Sequence, residues 1–225
     1  LLKDGNQLGI NISYKIQESP NGIAEAFLLA EDFIKDSKVA LILGDNIFYG
    51  NELSRDLLKA KGLNGATIFT SQVSDPKRYG IVEFDKNNNP INLVEKPDSP
   101  LSNHAITGLY FYDNQVIEIA KNICPSERGE LEITDINKIY LKNKNLNIQK
   151  FGRGHAWLDT GTHESLIEAS NYIKMIESRQ GLKVACIEEI AWKMGYISTN
   201  QLLKLAEPLR SNGYGQYLIS RAKEL

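Results

Sequence analysis

The sequence predicts an α/β fold, with a mixed and mostly parallel sheet flanked by helices and then a helical C-terminal region. Strand-like and helix-like patterns alternate over the first three-quarters of the 225 residues, an order typical of α/β proteins. Residues 39–43 form a continuous apolar run, as expected of a strand buried on both faces of a parallel sheet. After Gly181 only helical spacing is found. We therefore expect an α/β domain over residues 1–180 and a helical region over residues 181–225.

The first elements are a short strand, a helix and a buried strand. Tyr14, Lys15 and Ile16 predict the short strand. The helix is expected to begin near Gly22, because apolar residues then recur at helical spacing. These residues are Ile23, Phe27, Ala30 and Ile34. The apolar run at 39–43 then ends in a turn signal, Gly44-Asp45-Asn46.

The middle of the chain continues the alternation of strands and helices. Residues 81–84 and 91–94 flank a polar turn and predict a hairpin. The other predicted strands are 66–73, 106–112, 147–151 and 156–158, and the predicted helices are 52–61 and 133–140.

The last part of the chain is predicted to be helical. Thr162 is a plausible cap for a long helix, with Leu166, Ala169, Tyr172 and Ile173 on its buried side. Short helices follow at 188–194, 201–206 and 214–222.

Composition excludes several classes of protein. The 26 basic and 28 acidic residues give a formal net charge of −2, which argues against a nucleic-acid binder. No apolar run approaches the ~20 residues of a membrane span, and no signal-peptide pattern opens the chain. Cys124 and Cys186 stand far apart and are expected to be reduced thiols. The expected location is the cytoplasm, with no membrane partner.

Two aspartates follow predicted strands at places where α/β proteins bind ligands. Asp45 comes after the run at 39–43, and Asp159 comes after the strand at 156–158. Ligands of open α/β sheets lie outside the carboxyl ends of the strands. Together the two carboxylates could hold one Mg²⁺, which prefers a couple of carboxylates plus phosphate oxygens and waters. The alternative is that both merely terminate strands, a common role for Asp.

Three charged residues near strand and helix ends could bind a sugar phosphate. Lys96 could neutralise a phosphate, and Glu95 could accept a hydrogen bond from a sugar hydroxyl. Arg128, just before a predicted helix, could form a fork onto a phosphate. Alternatively, the Glu95–Lys96 pair is exposed and solvated, and the neighbouring Glu130 favours the helix N-terminus.

A loop before the first helix offers a possible site for a nucleobase. Gln17 carries an amide that can read a base edge, and Gly22 opens a helix start, where a negative group is welcome. The alternative is an ordinary loop that contains Pro20. Trp157 and the other aromatic residues are more often core or wall than cofactor contacts.

Each of these signals is weak alone, but their succession is specific. The chain resembles the bacterial sugar-1-phosphate nucleotidylyltransferases, and among them glucose-1-phosphate thymidylyltransferases, over essentially its whole length. The segments that carry the resemblance are Gln17-x-x-Pro20-x-Gly22-x-Ala24-x-Ala26, residues 41–46, 78–80, 94–97, 107–110, 128–135, 157–162 and 214–217.

The resemblance implies a Rossmann-like nucleotidyltransferase fold and a set of residue roles. Asp45 and Asp159 would hold Mg²⁺, and Asp45, Lys96 and Arg128 would be catalytic. The implied substrate-binding residues are Gln17 and Gly22 near thymine, Gly80, Glu95 and Thr107 at the glucosyl hydroxyls, Lys96 and Arg128 at the sugar phosphate, and Tyr79 and Trp157 beside them.

The resemblance also implies assembly and pathway. Family members are typically homotetramers with a regulatory nucleotide site at an interface, and Arg153 and Glu189 are the positions similar to that site. The substrates would be dTTP and glucose 1-phosphate. The product would be dTDP-glucose, for rhamnose and other deoxysugars of surface polysaccharides.

The sequence departs from the family pattern in two places. The glycine-rich Gly-x-Gly-Thr-Arg loop that cradles the triphosphate, and the first strand, are absent from these 225 residues. We therefore expect this chain alone to catalyse poorly. Glu25 stands where relatives often carry Gln, which matters little if its side chain faces solvent.

Three alternative functions stay open at this point. The same reaction could use UTP or CTP. The chain could be a non-catalytic sugar-nucleotide-binding fragment, which the absent loop favours. A glycosyltransferase of similar fold is disfavoured, because Gly44-Asp45-Asn46 has a single carboxylate where an Asp-x-Asp metal motif would be needed.

Overall fold

The computed structural model describes residues 2–224, which fall into two compact units. One unit comprises residues 16–171, and the other comprises residues 2–15 together with 172–224. The division lies within a helix before residue 180, and the first residues of the chain belong with the helical unit rather than with the α/β unit. It therefore differs from the expected boundary at both places.

The larger unit contains all eight strands of the described residues. Six form one sheet in the order β5-β4-β6-β3-β7, with β1 also paired to β6, and β2 and β8 form a separate two-stranded sheet. The strands are β1 (Val39–Ile42), β2 (Asn46–Gly50), β3 (Ala66–Gln72), β4 (Gly80–Phe84), β5 (Pro90–Glu95), β6 (His104–Tyr112), β7 (Leu146–Lys150) and β8 (His155–Asp159).

The α/β class and the mixed sheet flanked by helices are confirmed, but the expected excess of parallel pairs is not found. Within residues 2–224, β3 and β7 form the one parallel pair. β6 runs antiparallel to β1, β3 and β4, and β4 and β5 form an antiparallel hairpin. The physical reason is that β6 lies among strands that share the opposite direction. An apolar run in the sequence does not reveal the direction of its neighbours.

β1 itself also differs from the expectation of burial on both faces. Its residues alternate between half-buried and exposed, and Ile42 is 59% exposed. Among the described residues β1 is paired along one edge only, with β6. A strand with one partner leaves the backbone groups of its other edge unpaired.

Six of the nine helices described lie in or enter the larger unit. They are α1 (Glu25–Leu29), α2 (Glu31–Ile34), α3 (Leu53–Gly62), α4 (Gln115–Asn122), α5 (Ile133–Lys142) and α6 (His163–Gln180). Phe27, Val116, Ile136 and Tyr140 pack with strand residues such as Ile68 in the main core. Burying such side chains stabilises the fold by about 1.5–3 kcal/mol each.

Several predictions about the N-terminal part are wrong. Residues 14–16 form no strand, and Ile16 is 77% exposed, because no other described strand pairs with them. The single helix expected from Gly22 is two short helices that meet at Ala30, whose ψ of 11° departs from helical geometry. Downstream, β2 and α4 were not predicted, and Leu166 on α6 is 50% exposed rather than buried.

The smaller unit is helical, as predicted for the C-terminal region. It contains α7 (Ile187–Lys193), α8 (Thr199–Ala206) and α9 (Gly213–Lys223). Leu202 and Leu218 are fully buried in its core, together with Leu8 from the start of the chain. Ser198 and Gln201 form a capping box at α8, which satisfies backbone donors at the helix start.

Candidate active site

The two predicted metal carboxylates converge at adjacent strand ends. Asn46 and Asp159 are register partners in the β2–β8 ribbon, which places Asp45 beside Asp159. A Cβ atom built on Gly161 would lie 3.2 Å from Asp159 Oδ1 and 3.8 Å from Asp45 Oδ2. The two oxygens are therefore no farther apart than the sum of these distances. Both carboxylates line one cavity of about 200 Å³.

Backbone hydrogen bonds hold the Asp45 turn against the end of β8. The backbone N–H and the hydroxyl of Thr160 both donate to the carbonyl oxygen of Asp45, at 2.9 and 2.8 Å. Arg78 adds positive charge on the other side, with Nη2 3.6 Å from Asp159 Oδ2. The two carboxylates are thus fixed in place beside one guanidinium.

An aromatic wall lines the same cavity. The rings of Tyr79 and Trp157 lie 5.0 Å apart between centroids at 60°, and the Arg78 guanidinium lies 5.5 Å from the Tyr79 ring centroid. The pKa of the Tyr79 phenol is raised, first by burial and then by the negative charge of Asp159. Tyr79 is therefore a hydrogen-bond donor and a flat apolar surface near neutral pH.

Two charged residues at the end of the β4–β5 hairpin, Glu95 and Lys96, line the cavity. Gly80 and Glu95 are register partners, and Thr134 donates to Glu95 Oε2 at 2.5 Å. A Cβ at Gly80 would lie 3.0 Å from Glu95 Oε2, so only glycine leaves full room above this carboxylate. Lys96 also lines the cavity, and its φ of 42° places the backbone in the left-handed region.

The side chain of Thr107 is not in the cavity. It is fully buried, and its hydroxyl donates to the carbonyl of Phe69 at 3.1 Å. Its neighbours Ile106 and Gly108 line the cavity instead. A contact between Thr107 and a sugar hydroxyl would therefore have to come from its backbone.

Arg128 is held by carboxylates rather than facing the cavity freely. Its Nη2 lies 2.8 and 2.9 Å from the two oxygens of Glu132, and its Nε lies 3.2 Å from one of them. These hydrogen bonds raise the pKa of Arg128. The same Nη2 is 3.9 Å from Glu95 Oε1, so the guanidinium lies close to Glu95.

The predicted base-reading residues, Gln17 and Gly22, are not among the residues that line the cavity, although the next residue, Ile23, is. The Gln17 amide donates to Glu25 Oε2 at 2.5 Å and to the carbonyl of Gly22 at 3.1 Å. Gly22 has φ of 103°, and a Cβ there would lie 2.4 Å from the carbonyl oxygen of Leu131. This glycine is required by close backbone packing. Glu25 is half-buried, so its side chain does not simply face solvent.

The two predicted regulatory residues belong to different units and are described separately. Arg153 is exposed in the turn between β7 and β8. Glu189 is buried on α7, where Lys193, Tyr217 and Arg221 contact its carboxylate. Burial raises the pKa of Glu189, but the hydrogen bonds from these residues outweigh it, and the pKa is lowered overall.

Sequence reasoning missed four residues that organise the cavity. Arg78, Asn46, Thr134 and Glu132 all lie inside the segments that carry the family resemblance, and each supports a site residue through a side-chain contact. Their partners are Asp159, Asp45, Glu95 and Arg128 respectively. Only the folded contacts reveal such supporting roles.

The donor set of Asp45 and Asp159 fits a magnesium ion. One oxygen of each carboxylate lies within 4 Å of the place that a Cβ of Gly161 would take, and both residues line the same cavity. Mg²⁺ is usually held by one or two carboxylates, with water and phosphate oxygens as its other ligands. No group of three or more His, Cys, Asp and Glu side chains suited to a metal occurs within residues 2–224. A site supplied largely by protein ligands is therefore not present in that range.

The comparison with protein families shows which family the chain belongs to. The model of the nucleotidyl transferase family matches residues 1–175. This chain belongs to the nucleotidyl transferase family. The match includes all residues that line the cavity, from Ile23 to Asp159. None of the helices described in this nucleotidyl transferase has the length and apolar character needed to cross a membrane.

Curated relatives cover nearly all of this nucleotidyl transferase. It is 50% identical over 225 residues to a glucose-1-phosphate thymidylyltransferase of Neisseria meningitidis, covering all of this chain and 78% of the relative. It is 51% identical to the same enzyme of Xanthomonas campestris, covering 99% of this chain and 76% of the relative. Relatives this similar belong to one enzyme family.

Solved structures agree on the fold. A protein described as a glucose-1-phosphate thymidylyltransferase from Bacillus anthracis, crystallised with sucrose, aligns with a TM-score of 0.68 and 38% identity over 76% of this chain and 68% of its own. A UDP-glucose pyrophosphorylase bound to UDP-glucose aligns with a TM-score of 0.64 and 26% identity, over 72% and 66% of the two chains. The expected Rossmann-like nucleotidyltransferase fold is thereby confirmed.

Proposed function

We propose that this chain carries the site for nucleotidyl transfer from dTTP to glucose 1-phosphate, which gives dTDP-glucose and pyrophosphate. The observation that supports it most is the convergence of the Asp45 and Asp159 carboxylates in one cavity with Lys96 and Arg78. The names of the relatives at 50% and 51% identity supply the substrates.

The reaction needs charge neutralisation and alignment more than proton transfer. A phosphate oxygen of glucose 1-phosphate is already an anion at neutral pH, so no general base is required to attack the α-phosphorus. Two polyanions must instead be held together in line. The cavity offers such groups, because it contains two carboxylates for a metal, positive side chains and no Ser-His or Cys-His pair.

Two basic residues, Lys96 and Arg128, are assigned to the sugar phosphate. Lys96 would neutralise this phosphate from the cavity wall. Arg128 would reach it from the Glu95 side with Nη1, since its Nε and Nη2 are engaged by Glu132. A guanidinium held on one edge presents its other donors in a fixed direction.

The metal would be held by Asp45 and Asp159. When bound, Mg²⁺ supplies electrostatic stabilisation of the negative charge on the reacting phosphates. The protein's own part is to keep the two carboxylates in register through the β2–β8 ribbon and the Thr160 hydrogen bonds.

The sugar and base would be bound by the remaining predicted residues. Glu95, held by Thr134, would accept a hydrogen bond from a glucosyl hydroxyl, with Gly80 leaving room for the ring. Tyr79 and Trp157 would form the wall. Gln17 and Gly22 would lie near thymine. For the Gln17 amide to bind the base, its hydrogen bond to Glu25 would have to break.

A pyrophosphate-release assay tests the nucleotide. The assay uses the 225-residue chain and also a fusion, named here the extended chain, in which the first strand and glycine-rich loop of a relative are joined to its N-terminus. We expect dTTP with glucose 1-phosphate to be the best pair. Turnover with UTP ten times faster than with dTTP would contradict the thymidylyl assignment. The likeness to a UDP-glucose pyrophosphorylase makes UTP the second candidate.

We infer a cytoplasmic homotetramer that supplies dTDP-glucose for rhamnose, other deoxysugars and surface polysaccharide. Arg153 and Glu189 would belong to a regulatory nucleotide site. Binding of dTDP-glucose without any pyrophosphate release from the extended chain would instead favour a non-catalytic sugar-nucleotide-binding role.

A further inference from the structure

Asn46 stands between the aromatic wall and one of the metal carboxylates. Its Oδ1 accepts hydrogen bonds from Trp157 Nε1 at 2.6 Å and from the backbone N–H of Gly108 at 3.0 Å. Its Nδ2 donates to Asp45 Oδ1 at 2.8 Å. Both polar atoms of the amide are therefore engaged at once, on opposite sides.

The chemistry of the partners fixes which way the amide points. The indole N–H and the backbone N–H are donors only, so the amide oxygen must face them. The amide nitrogen then faces the carboxylate, which accepts. Gly108 leaves the room for this arrangement, because a Cβ there would lie 2.6 Å from Asn46 Oδ1.

The hydrogen bond from Asn46 makes the two carboxylate oxygens of Asp45 different from each other. Oδ1 is bound by Asn46, whereas Oδ2 lies on the side of Asp159: a Cβ built on Gly161 would be 3.8 Å from Asp45 Oδ2 and 3.2 Å from Asp159 Oδ1. A residue that holds one carboxylate oxygen orients the other toward a ligand. A shift of the Trp157 ring would pull on the same amide and so on Asp45.

We propose that Asn46 is a positioning residue that links Trp157 to Asp45, so that divalent-metal binding and the state of the aromatic wall are energetically coupled. This inference rests on the proposed function, since it requires a divalent ion at Asp45 and Asp159. Coupling is reciprocal: metal binding changes the environment of Trp157, and changes at Trp157 alter the affinity for metal.

Metal affinity gives the first test. Mn²⁺ binding to the 225-residue chain is measured by electron paramagnetic resonance, with Asp159→Asn as the reference that lacks a ligand. Asn46→Ala is expected to bind Mn²⁺ roughly tenfold more weakly, the usual cost of losing a residue that supports a ligand. Asn51→Ala, an exposed position just after β2, is the matched control and is expected to bind like the unchanged chain.

Fluorescence of Trp157 gives a readout that a purely structural role would not move. The chain has two tryptophans, so Trp192→Phe leaves Trp157 as the only one. Mg²⁺ is expected to change its emission with a saturable midpoint. In the Asn46→Ala, Trp192→Phe double variant this response is expected to disappear even at saturating Mg²⁺.

A variant at Trp157 tests the same coupling in case Asn46→Ala does not fold. Trp157→Phe keeps an aromatic ring and removes the N–H donor. It does not touch the metal carboxylates directly, yet we expect it to weaken Mn²⁺ binding about threefold. In the Asn46→Ala background, Trp157→Phe should not weaken Mn²⁺ binding further, because the hydrogen bond between Trp157 and Asn46 is already lost.

The outcomes separate this inference from the proposed function. If the unchanged chain and Asp159→Asn bind Mn²⁺ equally well, Asp159 is not a metal ligand. That result would contradict both this inference and the proposed function. If Asp159→Asn alone is impaired, while Asn46→Ala and Trp157→Phe bind Mn²⁺ normally and Trp157 still responds to Mg²⁺, the coupling is overturned and the function stands.

Discussion

At the scale of single residues, the site depends on charges that are held by neighbours. Asp159 supports the first prediction, because it lies beside Asp45 in the cavity and its Oδ2 is 3.6 Å from Arg78 Nη2. Replacing it with Asn removes one negative charge from the proposed metal site. We expect Asp159→Asn in the extended chain to lower turnover by roughly a hundredfold or more with the fold intact.

The measurement is pyrophosphate release, with circular dichroism to verify folding. Asp36→Asn, an exposed aspartate outside the cavity, is the control and should leave turnover unchanged. Near-normal turnover of Asp159→Asn at low Mg²⁺ would show that this carboxylate does not hold the metal.

Lys96 supports a second residue-scale prediction, which concerns binding rather than turnover. Lys96 lines the cavity next to Glu95. Removing it should weaken electrostatic attraction for the sugar phosphate and raise KM for glucose 1-phosphate about tenfold, with a smaller effect on KM for dTTP.

A lysine in the turn of the same hairpin provides the matched control. Lys86→Ala removes an equal charge at an exposed position outside the cavity. Isothermal titration with glucose 1-phosphate compares the two variants. An unchanged affinity in Lys96→Ala would place the phosphate elsewhere.

At the scale of elements, the sequence predicts those segments whose apolar spacing is strong. The strands at 66–73 and 106–112, the hairpin and the helix at 133–140 are all found within a few residues of the expected bounds. Asp45 and Asp159 could be predicted as a pair because both follow strands, and the structure brings them together.

The elements that were missed are those whose existence depends on a partner far along the chain. β2 begins directly at Asn46, inside a segment that is typical of a turn. It is a strand because β8 pairs with it, and the register partners are 105 to 113 positions apart in the sequence. β6 reverses the expected parallel order for the same reason. Supporting contacts such as Thr134 with Glu95 leave no local pattern in the sequence.

The C-terminal end of α6 supports a prediction about pH and stability. Glu177 accepts hydrogen bonds from Lys183 Nζ at 2.5 Å and from the backbone N–H of Val184 at 3.0 Å. The hydrogen bond from Lys183 is the main reason that the pKa of Glu177 is lowered. A lowered pKa in the folded state means that the carboxylate stabilises the fold above its unfolded pKa and loses this effect as pH falls through the folded pKa.

Glu177→Gln is therefore expected to be less stable than the unchanged chain by about 1 kcal/mol near neutral pH, a modest value because the pair is partly exposed. The difference should shrink as the pH falls through about 4.3, where Glu is half protonated in the unfolded chain, and on through the lower pKa of the folded state. Thermal unfolding across this range measures it. Glu168→Gln, exposed on the same helix, is the control, and a pH-independent difference for Glu177→Gln would exclude the proposed ion pair.

At the scale of the whole molecule, the open edge of β1 bears on activity. β1 ends next to Asp45, and among residues 2–224 only β6 pairs with it. A strand that pairs with the other edge would restrain the turn that carries the metal carboxylate. A glycine-rich loop after such a strand would also add backbone N–H donors for a triphosphate.

We therefore expect the extended chain to turn over dTTP and glucose 1-phosphate at least a hundredfold faster than the 225-residue chain, because one added loop and strand supply both charge stabilisation and alignment. It should also unfold at a higher temperature, since Ile42 and its exposed neighbours gain a packing partner. A matched fusion whose glycine-rich loop is replaced by Ser residues should keep the gain in thermal stability and lose most of the gain in turnover. If both fusions were equally active, the loop would not be the source of triphosphate binding, and alignment of Asp45 by the added strand would account for the effect.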